Sequence, residues 1–178
     1  MSSDASGGKT EATKDNEARL ADLYNEYYDR IAHYVYVRLG DRTEAEDIAS
    51  EVFLKALLSI KRYEERGLPI QAWLFRIAHN LVIDRVRTMT KDKAVLADTT
   101  AIRDESDPEA TIEKKMQLER VTEAMKELSE EQREVLRLRF FGGLTSKEVG
   151  NLLDKSDGAV REMQRAALEK LRRLMAED

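Results

Sequence analysis

The chain has 178 residues, a net charge of −5, 37% charged residues and no cysteine. Disulfides and thiolate metal sites are thereby excluded, and the scarcity of glycine (8) and proline (2) favours a helix-rich protein with solvated faces. No apolar run is long enough to span a bilayer and no signal-peptide core opens the chain, which points to the cytoplasm. The acidic balance argues against a generic nucleic-acid coat but leaves room for local basic patches.

Residues 1–16 are almost free of apolar side chains and read as a disordered tail. A first helix is expected over 17–39, with Leu20, Leu23, Tyr24, Tyr27, Ile31, Tyr34 and Val35 on one side and Gly40 as its stop. T-E-A-E at 43–46 fits a capping box, with Thr43 as N-cap and Glu46 reaching back. The second helix, over 44–62, has an unbroken core stripe: Ala45, Ile48, Ala49, Val52, Phe53, Ala56, Leu57 and Ile60. Outside it runs another stripe, Asp47, Glu51, Leu54 and Leu58. Acidic and apolar groups outside a complete core stripe suggest a protein partner; the alternative is that Leu54 and Leu58 pack under the first helix.

Residues 61–68, K-R-Y-E-E-R-G-L, interrupt the periodicity. A loop with Lys61, Arg62 and Tyr63 beside a helix end could hold one unstacked base, or be a polar connector. The helix expected over 69–87 is the centre of the chain. Ile70, Trp73, Leu74, Ile77, Ala78 and Leu81 make its apolar face. Gln71, Arg76, His79, Asn80 and Arg87 lie off that face, and Asp84 and Arg85 continue the polar character. Pro69 suits the first turn. Such a polar face could track a nucleic-acid backbone and contact bases; an ordinary amphipathic core helix is the competing reading.

Periodicity then fades, and 89–107 read as a flexible linker between two domains. Asp107 and Pro108 resemble an N-cap and a first-turn proline. The helix they open carries Ile112, Met116, Leu118, Val121, Ala124, Met125 and Leu128 on its apolar side. Ser129 and Gln132 form a second capping-box candidate, before a helix with Val135, Leu136, Leu138, Phe140 and Phe141 that ends at Gly142 and Gly143. Thr145, with Glu148 three residues on, caps a short helix. Asp154 and Lys155 make a turn, and Ser156 caps a longer helix to about residue 175. Two helices joined by a tight turn, the second basic, make a helix-turn-helix. Val160, Met163, Ala167, Leu171 and Leu174 face inward; Arg161, Arg165 and Arg172 share an outer stripe with Gln164 beside it. Arginine there can read guanine and glutamine adenine, and the free N–H groups around Ser156, Asp157 and Gly158 suit a phosphate. A plain helical hairpin with solvated arginines is the alternative. The expected fold class is all-α: two small helical domains, at 17–88 and 108–178.

Three stretches together resemble the extracytoplasmic-function (ECF) group of bacterial RNA polymerase sigma factors, in the sigma-70 family. A-E-D-I-A-S-E-V-F-L-K-A-L is similar to the core-polymerase-binding helix of sigma region two. A-W-L-F-R-I-A-H-N-L-V-I-D-R-V-R is similar to the helix that melts and reads the minus-ten element. L-S-E-E-Q-R-E-V-L-R-L-R-F-F-G-G-L-T-S-K-E-V-G with G-A-V-R-E-M-Q-R-A-A-L-E-K-L-R-R-L is similar to the minus-thirty-five reader of region four.

The resemblance implies polymerase contacts at Asp47, Glu51 and Lys55, on the stripe that includes Leu54 and Leu58. It implies minus-ten contacts at Trp73, Arg76, Asn80, Asp84, Arg85 and Arg87, with the 61–68 loop holding a flipped base. His79 stands where an arginine is common, and Ile70 and Gln71 where many members carry Phe and Arg. Minus-thirty-five contacts fall on Arg161, Gln164 and Arg165, with Thr145, Lys155 and the residues from Ser156 to Gly158 at the entry to the helix. The implied partners are core RNA polymerase, promoter DNA and an anti-sigma factor, with no catalysis, cofactor, metal or small-molecule substrate. Three rivals are a stand-alone helix-turn-helix repressor, which leaves the acidic-apolar stripe unexplained; an enzyme, for which only His33 and His79 are available and no phosphate loop or metal spacing exists; and a helical adaptor that binds only proteins.

Overall fold

The computed structural model describes residues 7–63, 68–92 and 111–176. These form seven α-helices: α1 (Gly7–Leu39), α2 (Arg42–Ser59), α3 (Ile70–Asp92), α4 (Ile112–Lys126), α5 (Glu130–Phe140), α6 (Ser146–Leu153) and α7 (Asp157–Ala176), with a 3₁₀ turn at Ile60–Arg62 after α2. No strand occurs among the described residues, and no helix of theirs is long and apolar enough to cross a membrane.

Helices α1–α3 form one layer. Ile31, Tyr34 and Val35 of α1 meet Ile48, Ala49 and Val52 of α2, and Leu74, Phe75, Ala78 and Val82 of α3 close the core, all at most 1% exposed. Each large side chain so buried contributes about 1.5–3 kcal/mol. The second set, α4–α7, has its own small cluster of Met125, Leu128, Leu136 and Ala167. Its remaining apolar side chains, Val135, Leu138, Leu144, Val149 and Val160, join the core of α1–α3. The two units expected from the sequence therefore share one continuous core.

Several elements depart from expectation. The first helix begins at Gly7 rather than near residue 17, so the expected tail over 1–16 is helical from Gly7 on. Once a packed helix is nucleated, each further turn costs little, even without an apolar stripe. The cap of α2 is Asp41 and not Thr43: the Glu44 N–H donates to the Asp41 carboxylate at 2.9 Å. Gly40, at φ 73, turns the chain so that Asp41 arrives extended at the helix start. Pro69 lies just before α3, and its carbonyl accepts from the Trp73 N–H at 3.0 Å. That helix runs on to Asp92, so the linker expected from residue 89 starts later; its remainder, with the Asp107–Pro108 cap, lies outside the described residues. Thr111 caps α4 instead. On α4, Ile112 and Met116 are 80% and 59% exposed, although they continue its apolar stripe.

Local signals in the second half hold. Ser129 with Gln132, and Thr145 with Glu148, form complete capping boxes. Asp154 adopts the left-handed conformation (φ 56) that ends α6, and Ser156 accepts from the Ala159 N–H at 3.1 Å to start α7. A Cβ on Gly150 would sit 2.5 Å from the Lys155 carbonyl, so only glycine lets the turn close this tightly.

Candidate nucleic-acid and polymerase interfaces

The outer stripe of α2 is open. Asp47, Glu51 and Lys55 are exposed, and Leu54 and Leu58 are 57% and 76% exposed. The alternative of packing under the first helix is not what the structure shows. Leu57, expected in the core, is also 43% exposed. The core stripe is already complete without it, and two turns of acid and leucine are left facing outward. Glu51 and Lys55, as an i,i+4 pair 3.8 Å apart, flank Leu54. Beside this stripe lies a groove lined by Ile48, Glu51, Lys55, Leu81, Asp84 and Arg85.

Helix α3 is rotated relative to the expected face. Ala72, Leu74, Phe75, Ala78 and Val82 are buried, whereas Ile70, Trp73, Ile77 and Leu81 are half-buried. Phe75 meets Tyr34 edge-on at 5.7 Å. Trp73 is turned towards Tyr63, their rings 4.9 Å apart, and Tyr63 donates its hydroxyl proton to the Leu68 carbonyl at 2.6 Å. An aromatic pair thus stands at the mouth of the 61–68 loop, of which residues 64–67 lie outside the described residues. Lys61, Arg62, Asn80, Asp84 and Arg87 are exposed. Arg85 lies 3.3 Å from Glu44 and Arg87 3.8 Å from Asp84, pairs too exposed to be worth much.

Three further polar side chains of α3, each half-buried, reach across to α5, α6 and the turn between them. Gln71 donates to the Gly142 carbonyl at 2.8 Å, and Arg76 to the Asn151 carbonyl at 2.9 Å. The ring nitrogen Nδ1 of His79 lies 3.0 Å from Oε1 of Glu134. A carboxylate can only accept, so Nδ1 carries the proton there.

On the helix-turn-helix, Arg161 and Arg165 project outward from α7, together with Gly158 and Glu162. Thr145 and Ser156 are exposed at the two helix starts, their hydroxyls engaged as caps. Each arginine is paired along its own helix: Arg161 with Asp157 at 2.6 Å, and Arg165 with Glu162 at 2.7 Å and Glu169 at 2.8 Å. The Glu162 partner pushes the Arg165 pKa up, and Arg165 holds Glu162 below the usual carboxylate range. Asp157 also accepts from the Ser146 hydroxyl at 2.5 Å, tying α7 to α6. Lys155 pairs with Glu131 at 3.0 Å. Gln164 departs from expectation: it is half-buried, and its Oε1 accepts from Arg139 of α5 at 2.8 Å. It lies one turn after buried Val160, with its Oε1 turned to α5.

Comparison with known proteins matches these helices to two family models: Sigma-70 region 2 over residues 23–91 and Sigma-70, region 4 over residues 124–173. The ECF RNA polymerase sigma factor BldN of Streptomyces coelicolor is 32% identical over 160 residues, covering 88% of this chain and 60% of its own. The ECF RNA polymerase sigma factor SigD of Mycobacterium tuberculosis is 34% identical over 148 residues, covering 80% of this chain and 70% of its own. The chain belongs to the ECF group of RNA polymerase sigma factors. The fold agrees with that of the sigma factor RpoE from Bartonella quintana, solved with the anti-sigma factor NepR (TM-score 0.69, 20% identity, 88% of this chain and 98% of that one). Members of the group are transcription initiation factors and not enzymes, and this sigma factor is one of them.

The seam between its two regions was not visible in the sequence. Its heart is Glu134, which is 6% exposed. Its carboxylate accepts from the Tyr34 hydroxyl and faces His79 and Arg137, the last at 3.1 Å. Burial works against the charge, but the His79 hydrogen bond and the Arg137 and His79 charges outweigh it and hold the Glu134 pKa down at about 2. Burial, with the Glu134 charge beside it, pushes the Tyr34 hydroxyl well up. Arg137, 1% exposed, also reaches Glu130 at 2.9 Å, and Glu130 pairs in turn with Arg38. Nearby, His33 stacks on Phe141 at 4.9 Å. The only sequence signal was that Glu134 and Arg137 sit on the same side of α5 as Val135 and Leu138, where a purely solvated pair would not be expected.

Proposed function

We propose that this sigma factor docks on core RNA polymerase through Asp47, Glu51, Leu54, Lys55 and Leu58, and directs it to promoters with two separate readers. The exposed acidic-apolar stripe of α2 carries the reading, because a complete core stripe on the same helix leaves it no structural task. Helix α3 and the 61–68 loop are the minus-ten reader, with Trp73 and Tyr63 offering ring faces to an unstacked base and Arg76, His79, Asn80, Arg85 and Arg87 donors to the strand. The minus-thirty-five reader is the α6–α7 pair. Arg161 and Arg165 contact bases, and the capped start of α7 lies against phosphate. Gln164 supports that helix through Arg139 and is not one of its base contacts.

Region two is assigned to residues 17–88 and region four to 108–178, in keeping with the two family-model matches. Tethering two readers raises the effective concentration of the second once the first is bound, so correctly spaced elements are favoured. The solved RpoE relative was captured with an anti-sigma factor, and a partner of that kind, in the cytoplasm, is proposed for this chain. The test is run-off transcription with core polymerase from the source organism on fragmented genomic DNA. Discrete new starts that disappear with Asp47→Ala and Glu51→Ala together are expected; starts insensitive to that pair would refute the docking assignment.

A further inference from the structure

Helix α7 is not a plain basic stripe. From Asp157 to Glu169 it carries three carboxylates and two guanidiniums, one negative charge in excess. A face that only followed phosphates would carry an excess of cations. Asp157 has a task inside the protein, since it ties α7 to α6 through the Ser146 hydroxyl. Glu162 has no such task. Two residues after buried Val160 it points outward, and among the described residues its carboxylate is bonded to Arg165 alone.

Arg165 divides its N–H donors between two partners. Its side edge, Nε and Nη2, donates to the two oxygens of Glu162 at 3.0 and 2.7 Å. Nη1, at the end of the guanidinium, donates to Glu169 at 2.8 Å. The Glu169 contact is single and exposed, so it is the one more easily given up. Its loss frees the end edge, Nη1 with the second hydrogen of Nη2, for guanine O6 and N7, while the side edge stays on Glu162. A carboxylate has about four lone-pair sites, so Glu162 still has acceptor capacity while it holds Arg165. It lies one turn before Arg165, nearer the helix end that enters a major groove. There cytosine shows its N4 amino group as a donor, whereas thymine and guanine show acceptors.

We infer that Glu162 is a specificity-determining residue of the minus-thirty-five reader: it steadies Arg165 on a guanine and itself accepts from the N4 amino group of a cytosine beside it. This rests on α7 being that reader, as proposed above. Arg165 and Glu162 then act as one donor–acceptor unit. Thymine or guanine in place of the cytosine turns an acceptor towards the carboxylate and is rejected. The carboxylate also repels phosphates, so the helix gains little from DNA of the wrong sequence.

The test is transcription by the holoenzyme from a promoter library with a randomised minus-thirty-five element, transcripts being counted for the parent and its variants. The parent should select a cytosine next to a guanine. Glu162→Ala should lower that cytosine preference by about tenfold, the effect of one good base contact, and leave most of the guanine selection in place. Glu162→Gln should move the preference at the same position from cytosine towards adenine, whose N6 and N7 suit an amide. A side chain that merely held Arg165 in place would not produce that change. Both side chains are exposed, so the variants should melt with the parent. Loss of guanine selection alone in Glu162→Ala, or a profile identical to that of the parent, overturns the inference. If Arg161→Ala with Arg165→Ala also leaves the whole profile unchanged, it is the assignment of α7 as the reader that fails.

Discussion

The two helices proposed to read DNA are presented in opposite ways. The cations of α7 point into solvent and are paired only with carboxylates of their own helix, Arg161 with Asp157 and Arg165 with Glu162 and Glu169. On α3, Arg87 is likewise exposed beside Asp84 of its own helix and Arg85 pairs with Glu44, but Arg76 donates to a carbonyl of α6 and His79 to a carboxylate of α5. An exposed intrahelical pair is worth little and exchanges readily for a phosphate or a guanine. The Arg76 and His79 bonds bridge two helical units that share a core, and both are given up when those units separate. One reader is therefore ready in the free protein and the other is conditional. The difference comes from tertiary contacts and not from the residue types, which are alike on the two helices.

The sharpest way to break this comparison is to remove the ready reader. Arg161→Ala with Arg165→Ala should lower transcription from a promoter that depends on its minus-thirty-five element by about a hundredfold, since each bidentate contact to guanine carries about 1–3 kcal/mol of discrimination. The fold should be untouched, because both side chains are exposed. A promoter that needs only the minus-ten element should respond far less. Equal losses on both promoters would mean that α7 serves stability or polymerase binding and does not read DNA.

Acid tests the conditional reader. The Glu134 pKa lies at about 2 in the folded protein, against 4.5 for an ordinary glutamate. A carboxylate depressed in this way stabilises the fold fully above the unfolded value, and the contribution disappears as pH falls from there towards the folded value. The displacement corresponds to about 3 kcal/mol. Urea unfolding at pH 7 and at pH 3 should show the parent losing more stability than Glu134→Gln does. The variant should already be weaker at pH 7, because Arg137 would lose one of its two carboxylate partners. Parallel pH profiles for the two proteins would remove Glu134 from the seam.

What could be read in the sequence was whatever depends on neighbours along the chain. Two capping boxes, at Ser129 and Thr145, were legible because the donor and acceptor lie three residues apart. The α2 core stripe was legible from its period, and so was the surplus stripe outside it. Contacts between distant helices were not. Tyr34 read only as one more aromatic on an apolar face, yet its hydroxyl meets Glu134 one hundred residues away. Gln164 read as a base contact because it lies next to an arginine stripe; its orientation is set by Arg139, which no periodicity of α7 can show. Ile112 and Met116 match the period of α4 but extend beyond the part that α7 covers. Periodicity identifies a face without saying how far along the helix a partner reaches.

The smallest effect concerns a choice that the sequence left between two residues. Asp41 and Thr43 can both cap a helix, and Glu46 three residues after Thr43 makes the threonine look better supported. In the structure Asp41 is extended, at φ −120 and ψ 121, and accepts from Glu44, while Glu46 turns to Arg42 at 3.1 Å and reaches no cap. Aspartate adds charge to the geometry: its carboxylate faces the positive end of the helix dipole, a term that a threonine hydroxyl lacks. Asp41→Ala should therefore cost about 1 kcal/mol in urea unfolding, and Thr43→Ala, inside the first turn, less than about 0.5 kcal/mol. Because the stripe on α2 starts one turn further on, the Asp41 variant should also fray the helix beneath Asp47 and weaken polymerase binding slightly, whereas the Thr43 variant should not. The reverse order of the two stabilities would restore the capping box at Thr43 and start α2 two residues later.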